Sequence, residues 1–156
     1  DKTEIGKKAL ELGIEKASWP GRFEVVAKNP YVILDGAHNP PAAEALVAAI
    51  QKVFSKKKVV FVLGFSEDKD RKNICQALAP VAAEVILTKT HHPRALVLKD
   101  EEAAKLFPGL KVTNVPDVQK AWEYAQTAAG KDKIIVVTGS IFLVGEMRNK
   151  CISIKV

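Results

Sequence analysis

The segment Tyr31-Val32-Ile33-Leu34-Asp35-Gly36-Ala37-His38-Asn39-Pro40 joins an apolar run to a polar turn and the start of a helix. The run from Val32 to Leu34 contains no polar residue. Such a run is typical of a strand that is covered on both faces, as in a parallel sheet. We therefore predict a buried strand over residues 31–35 that ends at a turn rich in polar groups.

A helix is predicted directly after this turn. Asn39 is a preferred residue type at a helix N-cap, and Pro40 suits the first helical position, where no N–H is needed. Apolar residues then recur at the spacing of one helix face. The residues predicted to be buried on this face are Leu46, Ala49, Ile50 and Val53.

The polar turn places Asp35, Gly36 and His38 at the carboxyl end of the predicted strand. In open α/β sheets, ligands bind in the crevice outside the carboxyl ends of the strands. A lone histidine in such a turn can also face solvent without any role, whereas the neighbouring carboxylate favours a function. We therefore expect Asp35 and His38 to be functional rather than structural.

The rest of the chain alternates strands and helices. Further strands are predicted at 22–27, 58–63, 84–88 and 134–137, with an extended piece at 111–113. Further helices are predicted at 3–17, 70–79, 99–106 and 140–149. Another helix is predicted to begin at Asp117, with Val118, Ala121, Trp122 and Ala125 on its buried side. This alternation predicts a mainly parallel sheet with right-handed crossovers. A tight turn at 28–30 makes strand 22–27 an antiparallel hairpin partner of strand 31–35, and the tail at 151–156 is expected to be an edge strand or disordered.

Length and composition are those of one globular domain, since the chain has 156 residues of which 47% are hydrophobic. No apolar run approaches the length of a membrane span, and the amino end lacks a signal-peptide pattern, so we expect a cytoplasmic protein. The first residue is Asp1 rather than Met, which indicates a fragment or a processed form. Cys75 and Cys151 stand alone in the sequence and are predicted to be structural thiols.

The net charge of +6 is spread along the chain. The only dense basic run is Lys56-Lys57-Lys58, which falls between a predicted helix and a predicted strand and is interpreted as a solvated loop. No basic stripe interleaved with aromatic residues supports a nucleic-acid partner. A moderate positive field would instead attract phosphates and anionic small molecules.

Polar residues cluster in three predicted strand-to-helix turns, at 35–39, 64–70 and 138–140. Such turns meet at one edge of a parallel sheet, and the helix amino termini there suit phosphate or carboxylate ligands. The alternative is that the polar residues, Ser140 among them, only cap their helices. The GxxxxGK[ST] loop that would bind ATP on its own does not occur in the chain.

Two further groups, the His91-His92 pair and Arg94, carry side chains that can bind ligands. His91-His92 is not predicted to be a metal pair, because adjacent side chains point in different directions and no further ligand lies near in sequence. A surface loop is the simpler interpretation. Arg94 either reaches an anion at the same sheet edge or is a solvated loop residue.

Four motifs in order resemble one known family: Trp19-Pro20-Gly21-Arg22-Phe23-Glu24, Leu34 to Pro40, Gly64 with Asp68-Lys69-Asp70, and Thr138-Gly139-Ser140-Ile141-Phe142-Leu143-Val144-Gly145-Glu146. Together they resemble the carboxyl-terminal domain of folylpolyglutamate synthase / dihydrofolate synthase, in the Mur ligase superfamily. The resemblance spans nearly the whole chain. It implies that residues 1–156 form a Rossmann-like, three-layer α/β domain with a mainly parallel sheet and an antiparallel edge hairpin.

The resemblance implies ATP-dependent amide formation, in which a substrate carboxylate is phosphorylated and the amino group of L-glutamate attacks the acyl phosphate. Arg22 and Asp35 match positions that contact ATP, and His38 lies beside the phosphates as the implied catalytic residue. Ser140 and Lys69 resemble the side that receives glutamate. Implied partners are ATP, L-glutamate, a folate or dihydropteroate substrate, and a covalently linked amino-terminal ATPase domain, in a monomer. That domain is absent from this chain and would hold most of the magnesium ligands, so no metal site is expected here.

Two other interpretations stay open. A stand-alone nucleotide- or amino-acid-binding module would keep the crevice without the chemistry, and an upstream GxxxxGK[ST] domain in the full coding sequence would exclude it. A peptidoglycan-precursor ligase is disfavoured, because its carboxyl domain is not expected to carry WPGRFE together with DGAHNP. The choice between dihydropteroate and folate as substrate lies mainly with the absent domain.

Overall fold

The computed structural model describes residues 6–55 and 57–152. Its strands are β1 (Glu24–Lys28), β2 (Tyr31–Leu34), β3 (Val59–Leu63), β4 (Ala82–Leu87), β5 (Lys111–Asn114) and β6 (Ile134–Thr138). Its α-helices are α1 (Lys7–Lys16), α2 (Pro40–Val53), α3 (Arg71–Leu78), α4 (Asp100–Leu106), α5 (Val118–Ala129) and α6 (Ile141–Ile152). Each element lies where the sequence predicted one, and most ends differ by one or two residues.

The described strands form one six-stranded sheet in the order β1-β2-β6-β3-β4-β5. The pair β1 and β2 is antiparallel, and the other neighbouring strands are parallel. This arrangement confirms the predicted parallel sheet with an antiparallel edge hairpin. The strands β3 and β6 lie in the middle and are buried over their whole length, which explains why their sequences contain no polar alternation.

Helices cover both faces of the sheet, giving the predicted three layers. The helices α2, α3 and α4 enclose one hydrophobic core, and α5 and α6 enclose the other. Successive strand residues serve opposite cores, so that Phe61 belongs to the first and Val62 to the second. This alternation follows from the two-residue period of a strand.

The buried face of α2 differs from the predicted one. The residues that reach the core are Ala43, Leu46, Val47 and Ile50. Val53, predicted to be buried, is 58% exposed, and Ala49 is only half-buried. The prediction gave too little weight to the small residue Ala43, which starts the same helical stripe one turn earlier and lets the helix approach the sheet.

Strand β1 begins later than the predicted range 22–27. Phe23 has a φ of +43°, which lies in the left-handed region and is incompatible with a strand. The extended backbone therefore starts at Glu24. The sequence carries no signal for this kink, because phenylalanine is a residue type that favours strands.

The two ends of the chain also differ from the prediction. The first helix is predicted at 3–17, and residues 3–5 of that range lie outside the described part of the chain. The observed helix α1 has no buried residue. The prediction that the tail at 151–156 is an edge strand or disordered is wrong for Cys151 and Ile152. These two residues continue α6. Cys151 extends the buried stripe of that helix four residues beyond Met147, while residues 153–156 lie outside the description.

Both cysteines are buried, and burial raises the pKa of each thiol to about 12. At neutral pH they are therefore protonated packing residues, as predicted. No helix in residues 6–55 and 57–152 is both long enough and apolar enough to cross a membrane.

Candidate functional site

The carboxyl ends of β2, β6 and β3 lie side by side at one edge of the sheet. The helix that follows β2 packs on one face of the sheet, and the helix that follows β6 packs on the other. A crevice opens where neighbouring strands send their helices to opposite faces, and this topological switch point is where α/β sheets bind ligands. The three predicted polar turns meet at this point.

Backbone hydrogen bonds fix the three turns to one another. The N–H of Gly139 donates to the carbonyl oxygen of Ala37 at 2.9 Å, and the N–H of Gly64 donates to that of Thr138 at 3.3 Å. Gly139 has a φ of +90°, and a Cβ atom there would lie 2.6 Å from the carbonyl oxygen of Gly64. Only glycine allows this close approach, so the turns form a single rigid unit.

The carboxylate of Asp35 holds part of this unit together. It accepts hydrogen bonds from the backbone N–H groups of Phe23 and Ala37, each at 2.8 Å. The first of these bonds restrains the left-handed conformation of Phe23. The carboxylate of Asp35 therefore has a structural task in this turn. The expectation that Asp35 is also functional, through a ligand contact with its remaining lone pairs, stays a prediction.

Arg22 lies directly against the same turn. The N–H of Gly36 donates to the carbonyl oxygen of Gly21 at 2.8 Å, which joins the WPGRFE motif to the DGAHNP motif. A Cβ atom on Gly36 would lie 2.5 Å from Nη1 of Arg22. Among the described residues the exposed guanidinium has no hydrogen-bond partner, so it is free to bind an anion beside the turn.

Glu24, the last residue of WPGRFE, is a structural anchor. Its carboxylate accepts from Nε of Arg148 at 3.1 Å and from Nη2 at 2.8 Å, and from the N–H of Gly21 at 2.8 Å. The hydrogen bonds from Arg148 lower the pKa of Glu24 below its ordinary value of 4.5. This ion pair fastens the WPGRFE segment to α6. The sequence did not predict this contact.

His38 is half-buried, and its Nδ1 lies 2.8 Å from the carbonyl oxygen of Gly36. Since a carbonyl oxygen can only accept, Nδ1 must carry the proton in this hydrogen bond. This leaves Nε2 as the nitrogen that can accept from or, when protonated, donate to a ligand. The imidazole is thus oriented by its own turn.

A cavity of about 220 Å³ opens beside His38. It is lined by His38, Ser66, Lys69, Arg94, Gly139, Ser140, Ile141 and Phe142. The structure therefore brings three predicted site residues together, His38, Lys69 and Ser140. Arg22 and Asp35 are not among the lining residues. Arg22 lies against Gly36, in the same turn as His38.

The charge of the cavity is mainly positive. Nζ of Lys69 lies 2.9 Å from Oδ2 of Asp68. The hydrogen bond from Lys69, with a smaller contribution from the charge of Arg94, lowers the pKa of Asp68 below its ordinary value of 3.8. One carboxylate thus faces two basic side chains, which leaves a net positive field for an anionic ligand.

Helix capping, the alternative explanation for the polar residues, is observed. Asn39 accepts from the N–H of Ala42 at 2.9 Å, and Asp70 accepts from the N–H of Asn73 at 3.2 Å. Ser140 is buried, and its Oγ accepts from the N–H of Phe142 at 3.2 Å. Because a hydroxyl can donate as well as accept, Ser140 still has a proton for a ligand in the cavity.

Sequence reasoning missed Ser66 and Phe142 as lining residues and left Arg94 undecided. The segments that carry Ser66 and Arg94 pair with each other through a bridge between Ser66 and Ala95, and this pairing has no signal in the sequence. His92 stacks on Phe142 with ring centroids 3.7 Å apart, so the two adjacent histidines do point in different directions. No group of three or more His, Cys, Asp or Glu side chains in residues 6–55 and 57–152 could hold a metal ion.

Fold and site together define an α/β domain with a positively charged cavity at a topological switch point. Residues 21–141 match the family model for the Mur ligase, glutamate ligase domain. The chain therefore belongs to this family, which confirms the resemblance read from its motifs.

Named relatives support the same assignment. The chain is 30% identical over 146 residues to the dihydrofolate synthase/folylpolyglutamate synthase of Bacillus subtilis (strain 168), covering 94% of this chain and 34% of that protein. It superposes with a TM-score of 0.85, at 31% identity, on Mycobacterium tuberculosis folylpolyglutamate synthase complexed with ADP and AMPPCP, covering 95% of this chain and 36% of that one. A bifunctional folylpolyglutamate synthase/dihydrofolate synthase with Mn, AMPPNP and L-glutamate bound superposes with a TM-score of 0.79 at 30% identity, covering 96% of this chain and 36% of that one. The chain spans about a third or less of the length of the curated relatives it matches.

Proposed function

We propose that this chain is the carboxyl-terminal domain of an ATP-dependent ligase that adds L-glutamate to a folate or to dihydropteroate. The observation that carries the proposal is the positively charged cavity at the switch point, lined by His38, Lys69 and Ser140. A dicarboxylic amino acid fits its size and its charge. Membership of the glutamate ligase family supports the same substrate.

Lys69 and Ser140 are proposed to bind the incoming glutamate. Ion pairing with Lys69 would neutralise a carboxylate, and the hydroxyl of Ser140 would donate to the same molecule from a fixed position at the start of α6. Bound in this way, the amino group is held ready for attack, and positioning of this kind is a major source of rate in a two-substrate reaction.

Arg22, Asp35 and His38 are proposed to contact ATP. The guanidinium of Arg22 would offset negative charge on the phosphates, and Asp35 would accept from a ribose hydroxyl or from adenine through lone pairs that its two backbone donors leave unused. His38 would act beside the reacting phosphoryl group through Nε2. It is the proposed catalytic residue, because it lines the glutamate cavity and hydrogen-bonds to Gly36, against which Arg22 lies.

The proposed reaction is divided between this chain and a preceding ATPase domain. ATP, with magnesium bound mainly by that domain, supplies the phosphoryl group that turns the substrate carboxylate into an acyl phosphate. The amine of glutamate then attacks the acyl carbon, the amide bond forms, and phosphate leaves as the amine loses its proton. Closure of the two domains would exclude water, which otherwise hydrolyses the acyl phosphate. A monomeric state and a cytoplasmic location belong to the same proposal.

The test uses the protein expressed from its complete coding sequence. We expect ADP release that requires both L-glutamate and a folate or dihydropteroate, with a product one glutamate heavier by mass spectrometry. The 156-residue chain alone should release no ADP. Lys69→Met should raise the KM for L-glutamate more than the KM for ATP, while Lys72→Met, an exposed lysine on α3 outside the cavity, serves as the matched control. A complete protein that binds ATP or glutamate without releasing ADP would instead be a binding module, and the proposal would fail.

A further inference from the structure

One face of α6 packs against residues 19–24, the WPGRFE segment. Ile141, Val144 and Arg148 recur at three- and four-residue spacing and so share one side of the helix. A Cβ atom on Gly21 would lie 2.9 Å from Cγ1 of Val144 and 3.5 Å from Cδ1 of Ile141. Gly21 is buried and has a φ of +71°. The segment therefore approaches the helix so closely that only glycine fits at this position.

Arg148 binds the end of the same segment. Its Nη2 donates to Oε1 of Glu24 at 2.8 Å, and its Nε lies 3.1 Å from each of the two carboxylate oxygens. The Glu24 side chain is only 17% exposed, so water and salt screen this ion pair less than they screen a pair at the surface. The same carboxylate accepts from the N–H of Gly21 at 2.8 Å. Arg148 thus restrains the backbone on both sides of Arg22.

The guanidinium of Arg22 has no comparable restraint of its own. It is exposed and makes no hydrogen bond among the described residues. The backbone N–H of Arg22 donates to the carbonyl oxygen of Trp19 at 3.1 Å, within the same segment. The place of the guanidinium beside Gly36 therefore depends on the conformation of the segment that carries it.

We propose that Arg148 is a positioning residue for the nucleotide, because its ion pair with Glu24 holds Arg22 where the guanidinium meets the phosphates of ATP. The inference rests on the proposed function, in which Arg22 contacts ATP and Ser140 binds glutamate. Ser140 directly precedes α6, and Arg148 lies about two turns further along the helix. A single helix thus supports both the nucleotide side and the amino-acid side of the reaction.

A positioning residue and a purely structural anchor differ in their consequences. Loss of an anchor lowers stability and leaves the folded molecules as active as before. Loss of a positioning residue lowers the activity of the folded molecules, and does so only while the group that it positions is present. Because Arg22 is that group, the effect of replacing Arg148 should depend on Arg22.

The experiment measures kcat and KM for ATP and for L-glutamate in the complete ligase, per folded molecule. Arg148→Met should lower kcat/KM for ATP about tenfold to a hundredfold, since misplacing a positioned group by about 1 Å can cost about a hundredfold. The KM for L-glutamate should stay within about twofold. Lys150→Met is the matched control and should behave as wild type, because it removes a cation of the same helix whose Nζ contacts Gln119 instead.

The dependence on Arg22 is tested with a double variant. In an Arg22→Ala background, Arg148→Met should change kcat/KM for ATP by less than about twofold, because both residues act through one contact. An equal loss in both backgrounds would show that Arg148 acts on the fold as a whole, and it would overturn the positioning role.

Glu24→Gln is a milder second variant, which decides the question if Arg148→Met fails to fold. It keeps an acceptor for the N–H of Gly21 but offers no charge to Arg148. It should lower kcat/KM for ATP about threefold to tenfold, because a hydrogen bond between ionised groups is about twice as strong as a neutral one. This loss, too, should be absent in the Arg22→Ala background.

The results separate this inference from the proposed function. If Arg22→Ala lowers kcat/KM for ATP but Arg148→Met and Glu24→Gln do not, the ligase assignment stands and the role of Arg148 is refuted. An Arg148→Met protein that melts lower than wild type while its folded molecules keep full activity would refute it as well. If Arg22→Ala leaves the kinetics unchanged in an active ligase, Arg22 does not contact ATP and the inference fails with that contact. Absence of glutamate-dependent ADP release in the complete protein would refute both the proposed function and this inference.

Discussion

Replacing Asp35 should destabilise the chain, because its carboxylate satisfies two backbone donors. Asp35→Ala leaves the N–H groups of Phe23 and Ala37 without their partner. An unsatisfied buried donor costs about 1–3 kcal/mol. Since Asp35 is only half-buried, the lower part of that range applies to each donor, or about 2–3 kcal/mol in all. In a chain of this size each kcal/mol lowers the Tm by about 2–4 °C, so the expected fall is about 4–12 °C.

Two further variants make the prediction specific. Asp35→Asn keeps one acceptor oxygen and turns an amide N–H toward the other donor, so its loss should be about half that of Asp35→Ala. His38→Ala removes one partly exposed hydrogen bond and should cost no more than about 1 kcal/mol. The expected order of Tm values is therefore wild type, His38→Ala, Asp35→Asn and then Asp35→Ala.

The assay combines thermal unfolding of the chain, followed by circular dichroism, with kinetics of the complete ligase. Activity is expressed per folded molecule at a temperature where each variant is folded. His38→Ala should lower kcat/KM by about 2–4 kcal/mol of transition-state stabilisation while melting near wild type. The reasoning would be refuted by an Asp35→Ala protein that melts within about 2 °C of wild type, or by a His38→Ala protein that melts as low as it.

Three further outcomes are expected. Gly139→Ala should lower the free energy of unfolding, measured in urea, by about 2–5 kcal/mol, because it adds a clash with the backbone to an unfavourable φ. Gly109→Ala is the control, since Gly109 has a φ of +79° and open space around the added methyl group, and it should show only the φ cost of about 1–2 kcal/mol. Equal losses in the two variants would contradict the clash. Glu24→Gln should remove a stabilisation that is fully present above pH 4.5 and is lost as the pH falls through the lowered pKa of Glu24. The free energies of unfolding of wild type and variant, measured in urea, should therefore converge at acid pH. The same difference at every pH would exclude the ion pair with Arg148 as its cause. Cys75 should react with a thiol reagent only after unfolding, because it is buried and burial raises its pKa to about 12, so that the thiol stays protonated. Rapid labelling of the native chain would contradict this.

Most of the fold could be predicted because local sequence and tertiary packing agree. The strand β6, with its run of Ile and Val, could only be a central strand, and the alternation of such runs with helical stripes led to the layered sheet. The failures occur where packing overrides the local pattern. Val53 follows the apolar spacing of α2 yet is exposed, and Phe23 is a strand-forming residue held in a left-handed conformation by a distant carboxylate.

The candidate site was predicted in part, for a geometric reason. Residues at the starts of helices, such as His38 and Ser140, can be located from the sequence because strand ends converge at one edge of a parallel sheet. The contribution of Arg94 could not be located in this way. Its placement depends on backbone pairing between two loops, through the bridge of Ser66 with Ala95 and the hydrogen bond from the N–H of Glu67 to the carbonyl oxygen of Arg94. Such pairing leaves no periodic pattern in the sequence.

The structure also divides the motifs into residues that hold the site and residues that face a ligand. In WPGRFE, Glu24 fastens the loop to α6, while the guanidinium of Arg22 has no hydrogen bond among the described residues. In DGAHNP, the carboxylate of Asp35 accepts hydrogen bonds from two backbone N–H groups, while His38 keeps Nε2 for a ligand. Both motifs thus pair an anchoring carboxylate with a nearby nitrogen-containing side chain that keeps a group for a ligand. A motif match alone treats these residues alike, whereas the hydrogen bonds predict different consequences: loss of stability when Glu24 or Asp35 is replaced, and loss of binding or turnover when Arg22 or His38 is replaced.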